Sequence, residues 1–188
     1  MTEQPTTLST VGRSLTWEEY QSLPQDPRAE YIDGRLVVSP SPSEQHQFIA
    51  LELAWLMKGV LPVTHRVNTA WAWKPGRDEF IPDVVVYDLA TASAGTGARF
   101  TGTPELVVEI LSSNRGDDLV WKSAKYAAAG LPRYWIVDPR DERVTAYALL
   151  DGILTPTAVL GRGEGADLDV GVATVHVDVD TLLGPSEA

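Results

Sequence analysis

The chain of 188 residues contains no cysteine and only three histidines. Without thiols it holds no disulfide framework, no thiolate metal site or cluster and no cysteine nucleophile. No apolar run approaches the ~18 residues of a membrane-spanning helix, because charges interrupt every candidate. Met1 to Gly12 is polar and threonine-rich, so it lacks the apolar core of a signal peptide. The expectation is a soluble, cytoplasmic protein with no membrane partner. Basic residues are also scarce, 15 Lys and Arg against 26 Asp and Glu, for a net charge of −11. A protein that grips duplex DNA by counterion release alone is basic, and that class is excluded. From Asp151 onward seven acidic residues face Arg162 alone, and the first 150 residues still carry 14 basic against 19 acidic. Any nucleic-acid role therefore needs a local patch, a metal ion or a partner.

What is present is enough for one domain at roughly 150 residues each. Residues 1–14 read as a disordered leader, 15–183 as a single domain and 184–188 as a tail. Thr16 and Glu19 form a capping-box pattern opening a helix from Trp17 to Leu23. Asp33-Gly34 between two short apolar runs signals a hairpin. Ser43 can cap a second helix, with Phe48, Leu51, Ala54 and Trp55 along its apolar face. Pro62 to Trp73 reads as one strand. Ile81–Tyr87 and Leu106–Leu111 are nearly unbroken apolar runs, the pattern of strands covered on both faces. A helix from Asp117 or Asp118 to Ala129 ends at Gly130. Strands over Arg133–Val137, Arg143–Leu149, Ile153–Leu160 and Val172–Val179 follow. The fold class is α/β or α+β.

Glu109 is the anomaly, a carboxylate inside an otherwise apolar strand. Burying it unpaired would cost several kcal/mol, so a partner or water must meet it. Asp83 opens the other apolar run, and if the two strands are neighbours the carboxylates meet at one sheet edge. Paired carboxylates with few histidines and no cysteine suit Mg²⁺ or Mn²⁺ better than zinc. On the residues alone, Asp83 is equally a turn cap and Glu109 equally the partner of an arginine. Glu30 in the hairpin and Lys122 in the following helix are further candidates, although Lys122 by itself reads as a solvated helix residue. Tyr126 lies four residues on, on the same helix face.

The ordered set Glu30-Tyr31-Ile32-Asp33-Gly34, a Pro-rich break before a helix bearing His46, Ile81-Pro82-Asp83-Val84-Val85-Val86 and Pro104-Glu105-Leu106-Val107-Val108-Glu109-Ile110-Leu111-Ser112 carries a resemblance. It continues through Asp118-Leu119-Val120-Trp121-Lys122, Tyr126, Gly130 and Tyr134-Trp135-Ile136-Val137-Asp138-Pro139. From about Leu15 to Leu183 the chain resembles the PD-(D/E)XK nuclease superfamily, and within it the Uma-two-type restriction endonuclease family. The resemblance implies a central mixed sheet flanked by helices, with an N-terminal β-hairpin and a β-rich C-terminal extension. It implies Asp83 and Glu109 as ligands of Mg²⁺ or Mn²⁺, Lys122 as the catalytic lysine and Glu30 as a further acidic member. One departure stands out: the usual lysine two residues past the glutamate is Leu111 here, and the family carries its lysine on the next helix.

The implied reaction is metal-dependent hydrolysis of phosphodiester bonds in nucleic acid, DNA foremost. A homodimer is expected, since so small a domain offers little grip on a duplex. Two other classes stay open: a catalytically silent nucleic-acid- or protein-binding domain, and a phosphoesterase acting on RNA or a small substrate. His46 reads as packing or surface, and His65 and His176 as structural. Trp71, Trp73, Trp121 and Trp135 read as core or subunit contacts. Asp138 reads as turn chemistry, and Arg99, Arg115 and Arg133 as candidate phosphate contacts.

Overall fold

A computed structural model describes residues 14–23, 29–38, 41–92, 98–112 and 116–185. Residues 1–13 of the expected leader, and Arg115, lie outside them. Ser14, assigned above to the leader, bridges Arg35, and the neighbouring Leu15 N–H donates to Gly34 O.

Helix α1 (Trp17–Gln21) begins with the anticipated capping box, in which Thr16 and Glu19 satisfy each other's backbone N–H. Ser22 already caps its C-terminal end, so it stops short of Leu23. Strands β1 (Ala29–Ile32) and β2 (Arg35–Val38) form the hairpin. Asp33 and Gly34 both take positive φ, 51° and 75°, which a two-residue turn of matching twist requires. Helix α2 (Glu44–Val60) starts on Ser43, whose hydroxyl accepts from His46 N–H.

Pro62–Trp73 is two strands rather than one. Strand β3 (His65–Thr69) ends where Ala70 adopts φ 58°, and β4 (Ala72–Trp73) then leaves for another sheet. Next come β5 (Val84–Asp88), the short helix α3 (Leu89–Ala92), β6 (Arg99–Phe100), β7 (Leu106–Ile110) and α4 (Gly116–Ala128). Gly130 takes φ 76° just past α4, where Leu131 N–H donates back to Tyr126 O. Strands β8 (Arg133–Asp138), β9 (Arg143–Leu150), β10 (Ile153–Leu160), β11 (Gly165–Asp169) and β12 (Thr174–Asp178) lead to α5 (Val179–Leu183).

Six strands form the central sheet in the order β10-β9-β8-β7-β5-β3. It is mixed: β7 and β8 run parallel, joined through α4, and the other neighbours are antiparallel. Of the β-rich C-terminal part, β9 and β10 extend this sheet, whereas β11 and β12 make a separate hairpin. As the apolar runs imply, β5 and β7 are covered on both faces. Val84, Val86, Val108 and Ile110 pack with α2, β12 and α5. Val85, Tyr87 and Val107 pack with Trp73, Phe80, Phe100, Tyr126 and Tyr134. Each fully buried valine or isoleucine is worth roughly 1.5–3 kcal/mol relative to exposure.

Helix α2 differs from the expectation. Its buried face is Ile49, Ala50, Leu53 and Met57, and Phe48, Leu51 and Trp55 are exposed. Trp73 and Trp135 are core residues, and Trp71 stacks against Tyr87 and Phe100. Asp138 accepts from the N–H groups of Arg140 and Asp141, which is turn chemistry.

Candidate active site

The four acidic and basic candidates converge where β5 begins and β7 ends. Strands β5 and β7 pair Val84 with Val108, so the same antiparallel register continued by one residue sets Asp83 opposite Glu109. Opposed residues in such a pair point to one face of the sheet. Here it is the face of Val107, on which Tyr126 of α4 also packs. Asp83 is locked to the end of β7, because Ile110 N–H donates to its Oδ2 at 2.8 Å.

Lys122 and Tyr126, one turn apart on α4, both reach Glu109. Tyr126 OH donates to Glu109 Oε1 at 2.6 Å and Lys122 Nζ at 3.2 Å. Lys122 also donates to Glu30 Oε1 at 2.8 Å, and the same oxygen accepts from Ile81 N–H at 2.8 Å. Glu30, Glu109 and Lys122 are all buried. Buried charge persists only when paired and hydrogen-bonded, which this arrangement achieves with one lysine spanning two carboxylates.

Two struts hold the hairpin over the site. Tyr31 and Glu79 exchange backbone hydrogen bonds at 3.0 and 2.7 Å. The buried Glu79 side chain accepts from Arg99 and from Tyr20 OH. Burial and the Glu79 carboxylate hold the Tyr20 phenol well above its ordinary value. On the other side Lys125 of α4 binds both Asp33 of the turn and Asp78. Sequence reasoning missed this scaffolding, because Glu79 and Asp78 carry no local pattern that separates them from surface acids. Arg99 is thereby engaged with Glu79, and Arg133 with Glu105 and Asp169.

His46 also belongs to the site. Its Nε2 stands 3.1 Å from Asp83 Oδ2, reaching over from the N-terminal turn of α2. The packing-or-surface reading thus gives way to a specific contact with a site carboxylate. His65 and His176 stand elsewhere, against Thr64 and Asp167.

The charge balance is lopsided. Of the three carboxylates, Glu30 and Glu109 share one lysine, and Asp83 meets His46 instead. Burial pushes the Glu109 carboxyl up to about 7, and the charges of Asp83 and Glu30 push the same way. Lys122 and the Tyr126 hydrogen bond oppose that rise without cancelling it. Two buried oxygens, Glu30 Oε2 and Ser112 Oγ, have no hydrogen-bond partner among the described residues.

Among the described residues no three His, Cys, Asp or Glu side chains form a ready-made metal cage. Magnesium does not need one: it commonly takes one or two carboxylates and completes its shell with water and substrate phosphate. Asp83 and Glu109 would supply two hard oxygen ligands, and a divalent cation would offset the excess of carboxylates over the one lysine. The donor set therefore fits Mg²⁺ or Mn²⁺.

Residues 17–180 match the model of the Uma2 family, whose description is "Putative restriction endonuclease". The chain belongs to this family. Uma2 membership covers every element from α1 through the start of α5, so all four candidates lie within the matched region. A crystal structure described as "a putative nuclease belonging to DUF820" from Anabaena variabilis is similar over 90% of this chain and 97% of that one. The two superpose with a TM-score of 0.74 at 21% identity, a likeness of fold. A comparison with curated proteins finds no match.

Proposed function

We propose that the protein is a Mg²⁺- or Mn²⁺-dependent endonuclease that hydrolyses phosphodiester bonds in nucleic acid, DNA foremost. The observation that carries this reading is the buried lysine held between Glu30 and Glu109, with Asp83 across the strand pair from Glu109. Membership of the Uma2 family supports the reaction class.

Asp83 and Glu109 are the metal ligands. Ile110 N–H and His46 hold Asp83 at Oδ2, and Tyr126 and Lys122 hold Glu109 at Oε1. Both carboxylates are thus fixed through one oxygen each, which orients them before any ligand arrives. A divalent ion held by these two carboxylates would supply Lewis-acid chemistry, polarising a phosphate oxygen and lowering the pKa of water. Lys122 places a fixed ammonium at the same point, where it offsets the negative charge that grows on the phosphate as water oxygen adds to phosphorus and the ester oxygen departs. Glu30 aims Lys122 through a 2.8 Å contact, which makes it a positioning residue. Bulk water competes poorly with the contacts of Glu30, Glu109 and Lys122, because all three are buried.

The test is a panel of supercoiled plasmid, single-stranded DNA and RNA, each with Mg²⁺, Mn²⁺ or EDTA. The Glu109→Ala protein is run alongside. Cleavage that needs metal and vanishes in Glu109→Ala is the expected result, and the substrate cut names the class. Cleavage surviving both EDTA and the substitution overturns the reading. Stoichiometric nucleic-acid binding without cleavage would favour a silent binding domain.

A further inference from the structure

Helix α2 carries two apolar stripes, and the core uses only one. Ile49, Leu53 and Met57 face inward and have no exposure. On the opposite side Phe48, Leu51 and Trp55 are 38%, 62% and 70% exposed. Single exposed apolar residues are ordinary, whereas a contiguous stripe containing a largely exposed tryptophan marks a contact surface.

The stripe has charged ends of opposite sign. Glu44 stands one turn before Phe48, and Lys58 one turn after Trp55; both are exposed. Positions 44, 48, 51, 55 and 58 step by four and three residues, the spacing of a coiled-coil seam. All five therefore fall within a single narrow band of the helix surface. Reversed, the pattern matches itself to within one residue. With Leu51 on a two-fold axis and the helices antiparallel, Phe48 meets Trp55 of a second copy and Glu44 meets Lys58 of that copy. A parallel pairing would instead oppose Glu44 to Glu44 and Lys58 to Lys58. Isologous two-fold contact is the common way for one chain to cover such a patch.

We propose that the outer face of α2 is a homodimer interface, formed by antiparallel self-pairing of the Glu44–Phe48–Leu51–Trp55–Lys58 seam about a two-fold axis through Leu51. His46 lies on the inner side of the helix with Ile49 and Leu53, so the pairing leaves its contact with Asp83 intact. The assignment does not depend on the nuclease reading.

Sedimentation velocity of the full chain over a concentration series tests it, with circular dichroism as the check on folding. The wild type is expected to dimerise. Leu51→Glu brings two like charges together at the axis and is expected to weaken self-association roughly 100-fold while the fold persists. Glu44→Lys and Lys58→Glu should each weaken it roughly fivefold, and the double reversal should restore it. Because the chain has no cysteine, Leu51→Cys is a clean reporter. Mild oxidation should link it to its own copy, while Val172→Cys, exposed elsewhere, stays monomeric on a denaturing gel. A chain that is monomeric at every concentration, or a dimer indifferent to Leu51→Glu, overturns the proposal. Failure of the double reversal to restore pairing overturns the antiparallel register.

Discussion

Lys122 Nζ stands 2.8 Å from Glu30 Oε1, so a helix late in the chain is tied to a hairpin near its start. That bond and the one to Glu109 balance a buried lysine charge, and breaking them is costly. Lys122→Met should destabilise the fold by about 3–5 kcal/mol, because Glu30 and Glu109 are left buried without their cation. Urea denaturation reads the loss. Adding Glu30→Gln and Glu109→Gln to the same chain should recover much of it.

Stability without metal should fall as pH rises. The Glu109 carboxyl sits at about 7 in the folded protein against an ordinary value of 4.5, mainly because it is buried. Between those values the folded state keeps a proton that the unfolded state has released, so each step up in pH favours unfolding. The contribution is complete below 4.5 and lost by about 7. Denaturation midpoints measured across that window should decline in the wild type and flatten in Glu109→Gln.

Metal affinity should show the opposite trend. An ion that uses Glu109 must displace its proton, so Mg²⁺ or Mn²⁺ binding should tighten as pH rises toward about 7 and level off above it. Isothermal titration calorimetry in buffers of different ionisation enthalpy should detect proton release at pH 6 and little at pH 8. Asp83→Ala should abolish binding at both.

Tyr126→Phe isolates one hydrogen bond. The ring stays packed against Trp73, Phe80 and Tyr134, and only the donor to Glu109 Oε1 is lost. A cost of about 1–3 kcal/mol is expected, since the carboxylate is buried. The hydrogen bond lowers the Glu109 value, so its loss should move the pH midpoint of metal binding upward.

The two stripes of α2 should separate cleanly. Leu53→Ala removes a fully buried side chain and should cost about 2–5 kcal/mol. Leu51→Ala, measured at high dilution, should stay within about 0.5 kcal/mol of wild type. Thermal melts of the two variants give the comparison directly.

Much of this site was legible because charge stands out against an apolar background. Glu109 and Asp83 interrupt runs that must be buried, and the antiparallel pairing of β5 with β7 brings them together. Lys122 had no such contrast on a mixed helix, and it was found through the family pattern. His46 escaped because its partner lies 37 positions away in a different element, so no local spacing encodes it. On α2 the spacing was true but ambiguous. Residues 48, 51 and 55 and residues 49, 53 and 57 both obey helical periodicity, and only tertiary packing decides which goes inward. The strand expected over Pro62–Trp73 failed for a local reason, the positive φ of Ala70.

The separation of 92 residues between Glu30 and Lys122 also sets when the buried ion-pair assembly can form. Contacts between distant parts of a chain form late, after the loop between them has closed. Hairpin, strand β7 and helix must all be in place before Glu30 and Glu109 share Lys122. A nascent or broken chain that ends before Lys122 therefore carries Glu30 and Glu109 without their shared cation. Only the finished chain brings the lysine and its two carboxylates together.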